Sequence, residues 1–89
     1  MILNITYAEY IVGYKVFLTF NDGESVTTDL ENAIFSDPRK IFIPLRDPDY
    51  FKSFKIRLNT ITWENEADFA PEFLLELGKQ QESSSVKYA

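Results

Sequence analysis

The sequence predicts an α+β domain: a small two-layer sandwich, with an antiparallel sheet of short strands and short helices against it. Period-two alternation marks several short segments, as half-buried strands require. An Asp-Gly pair sits between two of them, which is hairpin chemistry. The helical stretches are too short and too few to cover both faces of a parallel sheet. Eighty-nine residues suffice for one domain, read as a body over 1–78 and a polar C-terminal tail over 79–89.

Ile2 to Tyr7 reads as the first strand, from its β-branched and aromatic content, and Ala8 to Gly13 as a connection. Tyr14 to Phe20 alternates cleanly, with Tyr14, Val16, Leu18 and Phe20 on one face. Asn21-Asp22-Gly23-Glu24 supplies the turn, and Ser25 to Asp29 returns with Val26 and Thr28 on one side. Asp29 suits the cap of a short helix carrying Leu30, Ala33 and Ile34. Ile41-Phe42-Ile43 reads as a brief strand or extended link. Asp47-Pro48 is an N-cap followed by proline at the first helical position. Phe54 to Leu58 and Ile61 to Trp63 form a second hairpin, turning at Asn59-Thr60. The last helix starts near Pro71, carries a stripe of Phe73, Leu74 and Leu77, and stops at Gly78, the usual left-handed C-cap residue. Three consecutive serines follow, in a polar stretch expected to bury nothing.

Composition narrows the chemistry. The chain has no cysteine and no histidine, so disulfides, thiolate metal sites, thiol nucleophiles and histidine-based acid–base catalysis are all excluded. Fourteen aromatics (eight Phe, five Tyr, one Trp) are the natural core material instead. The expectation is a protein that is not an enzyme and carries no cofactor. Met1-Ile2-Leu3-Asn4 lacks the basic start of a signal peptide, and no apolar run approaches bilayer length, so a cytoplasmic location away from membranes is expected.

Charge is uneven. The net value is −5, yet Arg39, Lys40, Arg46, Lys52, Lys55 and Arg57 outnumber Asp47 and Asp49 between positions 39 and 57. That segment carries +4 and the remainder −9. Such a dipolar chain suits docking to a complementary protein or to its own copy, although two solvated faces are the more usual origin of such a pattern. The overall acidity argues against general nucleic-acid binding, leaving the 39–57 segment as the place where it would occur.

Three sets of residues stand out as candidate sites. Trp63, Asn65 and Asp68 would give a stacking platform with two polar handles; the alternative is a core tryptophan beside two Asx residues bonding loop amides, which is the more usual arrangement near a helix start. Asp22, Asp29 and Asp68 would make an all-carboxylate metal site, but their spacing is not that of a calcium loop and two of them suit a turn and a cap. Arg46, Lys52, Lys55 and Arg57 would read phosphates; Lys55 and Arg57 also look like the charges that keep an exposed strand soluble.

Three motifs carry a family resemblance over Tyr14 to Leu74. They are Phe20-Asn21-Asp22-Gly23-Glu24 with Asp29-Leu30 downstream, Leu45-Arg46-Asp47 leading to Tyr50-Phe51, and Ile61-Thr62-Trp63-Glu64-Asn65-Glu66-Ala67-Asp68. Together they resemble the bacterial family known as domain of unknown function 2442, whose last motif runs Trp-x-Asn-Gly-Ala-Asp. The resemblance implies a two-layer α/β fold and, from the company such domains keep, a regulatory or antitoxin-like role with a protein partner. Glu66 stands where the family usually has glycine, which implies that the turn there either lacks the positive φ or is strained.

Overall fold

The computed structural model describes the backbone of residues 2–86 and the side chains of residues 2–83. Its order is β1 (Ile5–Val12), β2 (Lys15–Phe20), β3 (Ser25–Asp29), α1 (Glu31–Ser36), two 3₁₀ turns (Lys40–Phe42 and Pro44–Arg46), α2 (Pro48–Phe51), β4 (Lys55–Arg57), β5 (Thr60–Thr62) and α3 (Pro71–Val86). The fold is α+β with antiparallel strands, as the sequence predicts. The strands divide between a three-stranded sheet, β1-β2-β3, and a two-stranded one, β4-β5. None of the described helices is long and apolar enough to cross a membrane.

Alternation places the inner face of the larger sheet. Val16, Leu18 and Phe20 on β2, with Val26 and Thr28 on β3, are buried, while the intervening residues face outward. The Asp22-Gly23 hairpin has the expected chemistry. Gly23 takes φ +89°, its N–H donates to Phe20 O at 3.1 Å, and Asp22 Oδ1 accepts from the Glu24 N–H at 3.0 Å. That bond to the Glu24 amide draws the Asp22 carboxyl below its ordinary value. Asp29 accepts from Glu31 N–H but is not the cap expected of it: α1 begins at Glu31 with Leu30 at its N-cap and no side-chain cap, whereas Asp47 caps α2 by accepting from Asp49 N–H.

Four other expectations change. The first strand begins at Ile5 and continues through the supposed connection to Val12, because β2 pairs along it, with register shifts between Ile5 and Tyr7 and between Tyr10 and Val12. Ile41-Phe42-Ile43 belongs to 3₁₀ turns in place of a strand or extended link, with Phe42 buried between exposed Ile41 and Ile43. The second hairpin turns one residue early, at Leu58-Asn59, with Arg57 opposite Thr60. Both turn residues are left-handed (φ +48° and +69°), the geometry that matches strand twist across a two-residue loop.

The fourth change concerns Gly78. The helix does not stop there but runs on to Val86. Pro71, Leu74, Leu75 and Gly78 are the buried positions, so the glycine completes an i, i+3, i+4, i+7 stripe. A side chain at 78 would strike the sheet: an ideal Cβ lies 2.6 Å from Thr28 Oγ1 and 2.6 Å from Val26 Cγ2. The glycine therefore serves close helix–strand approach. Beyond it, Lys79 pairs with Glu24 at 2.5 Å, and Gln81 bonds both the N–H and the C=O of Asp29 (2.8 and 3.0 Å). Positions 87–89 of the expected tail lie outside the described residues.

Candidate functional site

The loop from Trp63 to Asp68 repeats the construction of the first hairpin. Trp63 N–H donates to Ala67 O at 2.9 Å and Glu66 N–H to Trp63 O at 2.8 Å, as Phe20 and Gly23 bond in the earlier turn. Asn65 Oδ1 accepts from Ala67 N–H at 3.1 Å, the part played by Asp22. Glu66 occupies the position of Gly23 and takes φ +69°, a conformation that costs a Cβ-bearing residue about 1–2 kcal/mol. Of the two outcomes expected from the missing glycine, the turn keeps its positive φ and is strained.

Asn65 also ties separate segments together. Its Nδ2 donates to Ile41 O at 2.9 Å, and its N–H donates to the Tyr50 hydroxyl at 3.0 Å. The first 3₁₀ turn, α2 and the loop are thereby held in one arrangement. Trp63 is fully buried among Phe51, Phe54 and Phe69, and its Nε1–H donates to Phe51 O at 2.9 Å. Its ring is therefore not presented as a platform.

These constraints shape a groove of about 610 Å³ between the 33–42 segment and the Glu66–Phe73 segment. Its aromatic wall is a ladder. The Arg39 guanidinium lies 4.8 Å from the Phe42 ring centroid, Phe42 stacks on Phe69 at 5.1 Å, and Phe69 stacks on Phe73 at 5.7 Å with 16° between planes. Phe42 is buried, whereas Phe73 is 43% exposed and leaves the end of the ladder open. Carboxylates from Asp37, Glu66 and Asp68 belong to the same lining. Arg39 grips Asp37 with two nitrogens (Nε to Oδ1 3.0 Å, Nη2 to Oδ2 2.7 Å), which lowers the Asp37 pKa and raises that of Arg39. Glu66 and Asp68 have no ion-pair partner among the described residues. The result is an apolar, aromatic groove with a net acidic rim, suited to an apolar side chain flanked by cations.

The candidate residues are thus dispersed. Asp68 reaches the groove, Asn65 braces it from behind, and Trp63 supports it from the core. Arg46 turns inward: its guanidinium lies 5.4 Å from the Phe35 ring centroid, its carbonyl accepts from Tyr14 Oη, and its buried Nε has no hydrogen-bond partner among the described residues. Lys55 and Arg57 are exposed on β4, outside the groove. Asp22, Asp29 and Asp68 do not gather; no group of three or more potential metal ligands occurs among the described residues. Phe42, Phe69 and Phe73 were not legible as a site, since three elements contribute them and no spacing joins them. The nearest sequence signal is the position of Phe73 one residue before the Leu74-Leu75 pair.

The family model for proteins of unknown function termed DUF2442 matches residues 5–80. The chain belongs to that family. No curated protein matches the sequence. Among solved structures, the chain is similar to a crystal structure named "Putative DNA Binding Protein" from Nitrosomonas europaea, at TM-score 0.75 and 20% identity. The match covers 91% of this chain but 52% of that one, so this DUF2442 chain spans about half the length of its structural neighbour. At this identity the likeness shows a shared fold.

Proposed function

We propose that this DUF2442 domain is a non-catalytic protein-interaction module, an accessory regulator of antitoxin-like type, whose groove takes an apolar, basic segment of a partner chain. The observation that carries this reading is the open-ended Arg39–Phe42–Phe69–Phe73 ladder in a groove also lined by Glu66 and Asp68, which have no ion-pair partner among the described residues. Aromatic faces and desolvated charge are what anchor small interfaces. The test is titration with a blocked peptide of alternating arginine and leucine, followed by backbone NMR shifts. Shifts concentrated at Ile41 and Glu66–Phe73, weakened by salt, are expected, and Phe73→Ala should loosen binding about tenfold. A glutamate–leucine peptide should not bind. Equal binding of both peptides, or none of the first, overturns the reading.

The second reading is a nucleic-acid-associated regulator using the 39–57 segment. It draws support from the name of the Nitrosomonas europaea protein and from exposed Lys55 and Arg57. Of the segment's other four cations, Lys40 is exposed, Arg39 is paired with Asp37, Arg46 lies over Phe35, and Lys52 lies 5.3 Å from the Tyr10 ring centroid. Duplex DNA retained at low salt and lost on Lys55→Glu with Arg57→Glu would favour this reading over the first.

A further inference from the structure

We propose that the groove's occupant is a second copy of this chain, each copy inserting its β4–β5 hairpin into the groove of the other. The inference rests on the groove reading above and names its partner. The hairpin has the required chemistry. Leu58 at its tip is 94% exposed, held at φ +48°, and Ile56 is 41% exposed. Lys55 and Arg57 stand on either side of Ile56 in β4, exposed and without an ion-pair partner among the described residues. An apolar tip with two cations on the strand leading to it is complementary to an aromatic groove rimmed by Glu66 and Asp68.

Position on the fold supports mutual exchange. β5 is one strand of the hairpin and also joins the groove wall. Thr62 forms an antiparallel bridge with Asp68, and Thr60 Oγ1 donates to Phe69 O at 2.5 Å. Hairpin and groove are therefore neighbours on one side of the molecule. A two-fold axis beside them lets each copy give its hairpin and receive its partner's at once, closing the assembly as a dimer. A one-way insertion would leave a groove and a hairpin unused and would propagate.

Complementary charge reversal tests this directly, with sedimentation velocity as the readout. The parent should dimerise at low salt and dissociate as salt shortens the range of the charges. Arg57→Glu alone and Asp68→Arg alone should each raise the dimer dissociation constant at least tenfold, since like charges then face each other in both contacts. Mixing the two variants should restore the dimer, because one contact becomes Glu against Arg and the other keeps its original pair. Leu58→Asn should weaken the dimer while raising the melting temperature, as asparagine tolerates the left-handed turn. Trp63 emission reports that each variant is folded. A parent that is monomeric at low salt, or a mixture that remains monomeric, overturns the pairing. In that event the arginine–leucine peptide separates the causes: if it still binds, the occupant was misassigned and the groove stands; if it does not, the groove reading has failed.

Discussion

Replacing Gly78 by alanine should destabilise the domain, although alanine is the better helix former. The opposing effects can be weighed from the structure. Alanine in place of glycine inside a helix is worth about 1 kcal/mol. Against it, the new Cβ meets Thr28 Oγ1 and Val26 Cγ2 at 2.6 Å and Val26 Cβ at 2.7 Å, where ordinary carbon contacts lie at about 3.5–4.0 Å. Rotating Val26 moves its Cγ2 but not its Cβ, so α3 must lift from β3. Overpacking of this kind costs about 1–3 kcal/mol, and backbone-fixed neighbours place it at the upper end. The lift also strains the Thr28 Oγ1–H bond to Leu74 O, 3.0 Å long and buried, for about another 1 kcal/mol. The net expectation is a loss of about 2–3 kcal/mol, much of the margin of a small domain. Urea unfolding followed by Trp63 emission measures it, and the Val26→Ala background should reduce the loss by removing one clashing methyl. Equal or greater stability of Gly78→Ala, at unchanged m-value, would refute the close-packing argument.

Other expectations follow from the same geometry. Trp63→Ala should cost about 3–5 kcal/mol, by cavity formation and by orphaning Phe51 O, and calorimetry of the variant measures it. Glu66→Gly should stabilise by about 1 kcal/mol, seen as a higher melting temperature, because glycine takes φ +69° freely as Gly23 does in the matching turn. Truncation after Gly78 should cost about 1–2 kcal/mol in urea, since it removes both Gln81 bonds to Asp29 and the Lys79–Glu24 pair. The depressed Asp37 pKa makes its pairing with Arg39 a stabilising contribution at pH values above the ordinary carboxyl value of 3.8. That contribution disappears as pH falls through the lower folded value. Asp37→Asn should flatten that part of the stability–pH curve, measured by thermal melts from pH 6 down to 2.

Local chemistry made much of this legible in advance. Alternation over Val16–Phe20, the Asp22-Gly23 turn and the Asp47-Pro48 cap are decided by neighbouring residues, and they appear where the sequence puts them. Trp63 in the core and Asn65 bonding a loop amide also follow from what those residue types ordinarily do. Gly78 shows where local reasoning failed. The same residue ends a helix when it stands after the stripe and permits close packing when it stands on it. The signal was present in the spacing of Pro71, Leu74, Leu75 and Gly78, but a C-cap glycine followed by serines is the stronger local pattern.

The sequence by itself determined the fold class, most of the strands and the family, because period-two burial and turn propensity are short-range properties. Only the tertiary structure decided the groove. Phe42, Phe69 and Phe73 come from a 3₁₀ turn, a loop and a helix, and they meet because Asn65 binds Ile41 O and a left-handed Glu66 folds the loop back. It likewise decided which cations are available. Arg39, Arg46, Lys55 and Arg57 are alike as entries in a charge count, but an adjacent carboxylate holds the first, an aromatic ring covers the second, and solvent surrounds the last two. Charge is a property of composition, whereas its accessibility depends on contacts between residues distant in the chain.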